Sequence, residues 1–151
     1  MHEYLRVTRP YMVLLAVFTI GRLVLGFRGV PYARGHYVFS LVILSMLSSV
    51  FYGGFCRKWR GYTMAQALAV GATIAVMSQT VIFVFTFLSY ALHVDTYFAN
   101  PRALNSAVPL SFGAAMASRA GGLVFNTVSH AVAAGLGWVV GAALPDARTA
   151  A

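Results

Sequence analysis

The chain has 151 residues, 60% of them hydrophobic and 9% charged, with a mean hydropathy of +0.76. A soluble domain is about a quarter charged, so this composition leaves too little polar surface to coat a globule in water and points to a bilayer as solvent. The formal charge of +8 does not indicate nucleic acid, because the 11 Lys and Arg mostly punctuate the ends of apolar runs, as membrane orientation requires, and do not cluster on one soluble face.

In chain order, the first apolar run is Tyr11 to Phe27, near the lower length limit for a span. Basic residues precede it as in a signal peptide, but no small-x-small cleavage site follows, so it reads as a retained first span, 11–27. The second, Tyr37 to Phe55, opens and closes on aromatics suited to the interface and gives 37–55. Cys56, beside Arg57 and Lys58, has no partner for an intrachain disulfide and no metal-ligand spacing around it. The third run, Met64 to Leu92 (64–92), exceeds a perpendicular crossing and predicts tilt or projection.

An outer loop over 93–122 follows, punctuated by Pro101 and Pro109 and ending in Gly121-Gly122. Within it, Leu110 to Ala117 reads as a short interfacial or re-entrant helix. The fourth span is Leu123 to Leu144 (123–144); one long helix from Leu110 to Leu144 is the alternative, exceeding the lipid thickness at ~1.5 Å per residue. The expected fold is thus an all-α integral membrane protein: one membrane domain over 1–151, with four transmembrane helices in an antiparallel bundle. Arg6, Arg9, Arg57, Lys58, Arg60 and Arg148 fall on one side, against Arg28, Arg34, Arg102 and Arg119 on the other. The excess predicts both termini in the cytoplasm of a multi-pass plasma (inner) membrane protein.

Each span carries a polar or small stripe at helical spacing. In the fourth, Asn126, His130, Ala133, Gly137 and Gly141 share a face, and Gly137-xxx-Gly141 permits close helix approach. The first has Thr19, Arg22 and Gly26, and the second has Ser45, Ser48, Ser49 and Tyr52. The third has Gln79, Thr86 and Tyr90, beside a ladder of Ala67, Gly71 and Ala75. Lipid cannot solvate these groups, so they turn toward one another or toward another subunit. Counting residues along each span predicts that Arg22, Asn126 and His130 meet in one outer-leaflet layer. Arg22 is always ionised, and the three acids Glu3, Asp95 and Asp146 all lie outside the spans, so the layer is suited to an anion.

Catalytic signatures are absent: the sequence has no HExxH, P-loop or GxGxxG, and no intramembrane acid for coupled transport. The expectation is a non-enzymatic subunit or assembly partner of a larger membrane complex, in contact with lipids and with other membrane chains or itself, binding no metal and no nucleic acid. The candidate binding residues are Arg22, Gln79, Thr86, Tyr90, Asn126 and His130, and the candidate packing residues are Gly71, Ala75, Gly137 and Gly141. Two alternatives stand beside it: a homo-oligomeric pore or carrier for a small or anionic solute, and a lipid, quinone or pigment binder. No cofactor is expected, a haem or pigment ligated by His130 being the less favoured option.

Overall fold

The computed structural model describes residues 2–144, and side-chain surroundings from Glu3 onward. Asp146 and Arg148 lie outside the described residues. A short helix α1 (His2–Val7) leads into α2 (Arg9–Phe27). Pro10 explains the joint: it lacks a backbone donor and its ring clashes with the carbonyl four residues back, so it opens a new helix and cannot extend the old one. Thr8 fills the joint, fully buried, with its hydroxyl donating to the Tyr4 carbonyl at 2.9 Å.

A single turn, α3 (Tyr32–Gly35), precedes α4 (Leu41–Arg60). The Ser40 hydroxyl starts α4 by accepting from the Ile43 N–H at 3.4 Å, and Gly61, at φ 65°, ends it. α5 (Met64–Ala91) opens on a capping box, in which Thr63 and Gln66 each accept from the other's backbone N–H. A 3-10 turn over Pro101–Leu104 sits in the next loop, and α6 (Phe112–Ala143) starts on a Ser111 cap. The described residues contain no strand.

The short helix expected over 110–117 does not stand apart. It is the first part of α6, which runs unbroken through Gly121 and Gly122 to Ala143. Glycine costs a helix only about 1 kcal/mol relative to alanine. Freeing backbone groups away from water costs several kcal/mol, so the helix continues. The loop between α5 and α6 therefore ends at Ser111 and does not reach 122. The second helix lies at 41–60, shifted from the expected 37–55, because Ser40 is its cap.

Three helices, α2, α5 and α6, are long and apolar enough to cross a membrane. α4 has the length but is diluted by serines, glycines and its terminal basic residues. α4, α5 and α6 form the tight part of the molecule, and α2 leans on α4 and α5. Ser45 meets His130 and Gly54 meets Gly141, so α4 and α6 run in the same direction. Gly71 meets Ala134 and Thr86 meets Arg119, so α5 runs against them. The α4–α6 contact is backbone on backbone: a Cβ on Gly137 would strike the Val50 carbonyl, and one on Gly141 would lie 2.8 Å from Gly54 Cα.

At one end of the molecule, Tyr62 donates to Glu3 Oε1 at 2.5 Å, and Trp138 Nε1 donates to the Tyr62 carbonyl at 2.7 Å. Arg57 stacks on the Trp138 ring at 3.6 Å. At the other end, the two loops meet where Tyr97 donates to the Val30 carbonyl at 2.7 Å. These loops roof the site described next.

Candidate functional site

Arg22 projects from α2, one turn beyond Thr19, and is 9% exposed. Its guanidinium carbon lies 5.8, 5.6 and 5.4 Å from the ring centres of Tyr32, Tyr97 and Phe98. The loops supply all three rings, and Phe98 is held from below by stacking on Phe85 of α5 at 5.3 Å. Aromatic faces attract a cation but accept few of its five N–H donors. Among the described residues the Arg22 guanidinium has no hydrogen bond or ion pair.

Arg119, on α6, lines the same cavity of about 210 Å³. Protein oxygens hold it rigidly: its Nε donates to Thr86 Oγ1 at 2.9 Å, Nη1 to the Ala103 carbonyl at 2.9 Å and Nη2 to the Phe98 carbonyl at 2.7 Å. Thr86 in turn has one hydroxyl hydrogen for two carbonyls in reach, Ile82 at 2.7 Å and Phe98 at 3.2 Å. Three of the five Arg119 N–H groups are engaged, leaving two. No carboxylate lines this cavity among the described residues; Asp95 faces other cavities, and Glu3 is spent on Tyr62 at the far end.

A second cavity, of about 480 Å³, adjoins the first and shares Tyr32, Val42, Ile82, Ala103 and Arg119 with it. Gln79 and Asn126 line its inner wall. Asn126 turns its amide N–H onto the Gly122 carbonyl at 2.7 Å. Gln79 is 5% exposed, and its Nε2 is a buried donor with no partner. Such orphans are rare in folded proteins and call for an explanation.

Of the residues marked out by the sequence, Arg22, Gln79 and Asn126 border these two joined cavities, and Thr86 supports them through Arg119. His130 borders neither. It is fully buried between α6 and α4, with Nδ1 on the Asn126 carbonyl at 2.6 Å and Nε2 on Ser45 Oγ at 2.8 Å. Arg22 and Asn126 thus line adjoining cavities, and His130 is not brought together with Arg22 in either. Tyr90 donates to the Leu110 carbonyl at 2.9 Å and faces a separate cavity.

Arg119 is the residue that sequence reasoning left among the outer-side charges. Its signal was present: in an unbroken α6, Arg119, Gly122 and Asn126 follow at i, i+3 and i+7 and share a face. The aromatic ring set has no such signal, because Tyr32 comes from the single turn α3 and Tyr97 and Phe98 from irregular backbone far along the chain. No family model, curated protein or solved structure matches the chain.

Proposed function

We propose that the chain is a non-catalytic membrane protein of four spans, α4 included, that holds an anionic group at the outer end of its bundle. The observation that carries this reading is the sharing of one cavity by Arg22 and Arg119 with no carboxylate among its described lining residues. Two guanidiniums in a partly dry site repel each other, and an anion converts that repulsion into bidentate pairing.

Spacing along α6 supports the outer placement. Trp138, with Trp59 and Tyr62 near it at the basic end, has the character of an interfacial anchor. Arg119 lies 19 residues before Trp138, roughly 28 Å along a helix. That is one hydrocarbon thickness, so Arg119 belongs at the opposite headgroup level. The exposed side of α6 (Val124, Phe125, Val128, Val132 and Leu136) suits acyl chains or a neighbouring membrane chain. The engagement of both His130 ring nitrogens supports a packing role over an axial ligand's role. The plasma (inner) membrane, with both termini cytoplasmic, is the setting this reading adopts.

The test is thermal unfolding of the detergent-purified protein with and without millimolar inorganic phosphate or a soluble phosphate monoester. An anion that binds only the folded state raises Tm with concentration. Wild type should show the rise, and Arg22→Gln should abolish it while keeping the same elution volume. No rise for any anion, or an equal rise in Arg22→Gln, would remove the reading.

A further inference from the structure

We infer that the anion is the headgroup phosphate of a diacyl lipid that enters sideways between α4 and α6; this rests on the anion-site reading above. Three observations beyond the arginine pair carry it. The first is the orphaned donor. The Gln79 amide lies beside Gly122, its Oε1 4.0 Å from the place a Gly122 Cβ would take. Gly122 is three residues after Arg119, so the amide sits roughly 4.5 Å deeper than the guanidinium level. A free phosphate seated on the arginines leaves Gln79 Nε2 unpaired. A glycerolipid carries ester carbonyls one step below its phosphate, at the depth of the Gln79 amide, and a turn of that amide about its last side-chain bond presents Nε2 to the ester oxygen.

The second is the wall of the larger cavity. On its open side it is lined by Val42, Gly121 and Phe125, with Val42 44% and Phe125 72% exposed. These are apolar or side-chain-free positions on the face where α4 begins and α6 continues past it. A water-soluble anion gains nothing from such a rim, whereas acyl chains leaving the site pass along it. At Gly121 an added Cβ would meet no atom within 4 Å, so the gap there is real space.

The third is donor count. Arg22 offers five N–H groups and Arg119 its remaining two. The two guanidiniums share the lining of the smaller cavity, and Arg102 lines the larger one. This matches a phosphodiester with its several acceptor oxygens better than a single carboxylate.

The experiment uses the full chain in mild detergent. Native mass spectrometry and competition measure binding of phosphatidylglycerol, phosphatidylcholine and soluble glycerol phosphate. Phosphatidylglycerol should bind at least about tenfold more tightly than glycerol phosphate, a difference of about 1.4 kcal/mol. Gln79→Leu and Gly121→Phe should each weaken the lipid severalfold and leave glycerol phosphate unchanged. Gly121→Phe fills open space and tests the portal without disturbing packing, and Arg22→Lys should restore part of the binding lost in Arg22→Gln. Equal binding of lipid and glycerol phosphate, insensitive to Gln79→Leu and Gly121→Phe, would overturn the lipid inference and leave the anion site standing. Binding of every ligand with the same strength in Arg22→Gln, or of none in wild type, would overturn both.

Discussion

At His130 the hydrogen-bond directions follow from what each partner can do. The Asn126 carbonyl only accepts, so the imidazole Nδ1 carries the hydrogen, and Nε2 takes the single Ser45 hydroxyl hydrogen at 2.8 Å in competition with the Val42 carbonyl at 3.1 Å. Ser45→Ala leaves a fully buried Nε2 without a partner, and the expected loss is about 1–3 kcal/mol of stability. Thermal unfolding of the purified variant measures it. Phosphate binding should be unchanged; a parallel loss of binding would contradict the separation of His130 from the arginine cavity. Tyr62, in the loop between α4 and α5, offers a pH test. Burial and its hydrogen bond to the Glu3 carboxylate push its phenol from the ordinary 10 up to about 12. The folded state thus favours the protonated phenol: the contribution is whole below pH 10 and is lost as pH rises through 12. In an ultraviolet tyrosinate titration, Tyr62→Phe should remove a component that ionises near 12; removal of one near 10 would contradict the Glu3 contact. Arg22, Gln79 and Asn126 were legible in the sequence because polar atoms in apolar runs must find partners. His130 was legible as a buried polar group, but its partner was not, since the depth of α4 relative to α6 depends on where Ser40 starts the helix.

Between helices, the α4–α6 contact depends on two glycines with opposite surroundings on the same helix. Gly137 touches the Val50 carbonyl, and any Cβ there forces α4 outward. Gly137→Ala is expected to destabilise by about 1–3 kcal/mol, as overpacking does. Gly121 faces open space, and Gly121→Ala should raise stability by about 0.5–1 kcal/mol, the usual gain of alanine in a helix interior. Chemical or thermal unfolding of both variants gives the pair of signs; stabilisation by both would mean that helix propensity, not contact, governs them, and destabilisation by both would contradict the open space at Gly121. The same two residue types explain what was misread in the sequence. Gly121-Gly122 looked like a break, because glycine punctuates helices in water. Here the helix is held on both sides of the pair, by Ala115 fully buried before it and by Asn126 bonding the Gly122 carbonyl after it. Reading the pair as a break also hid Arg119, whose position on the Asn126 face appears only when α6 is continuous. The joint at Thr8 was likewise hidden: Pro10 divides the first helical segment in two, and α1 carries Glu3 to Tyr62.

For the molecule as a whole, the two ends differ in both charge and chemistry. Arg6, Arg9, Arg57, Lys58 and Arg60 gather at the end where α1, the α4 terminus and the start of α5 meet. At the other end Arg28, Arg34 and Arg102 are exposed, while Arg22 is sequestered in the cavity and Arg119 is held by three oxygens. The positive-inside rule predicts the basic end in the cytoplasm and the cavity at the outer leaflet, the orientation proposed above. Cys56 is fully buried and is replaced by serine to give a background free of native thiol. Single cysteines at Ala65, exposed beside the Thr63 cap, and at Val108, 62% exposed in the outer loop, then report the two sides. In intact cells a membrane-impermeant maleimide should label Val108→Cys at once and Ala65→Cys only after permeabilisation. The reverse pattern would put the arginine cavity on the cytoplasmic leaflet. Labelling of both positions in intact cells would contradict four spans, because one face of the chain could not then be shielded by the bilayer.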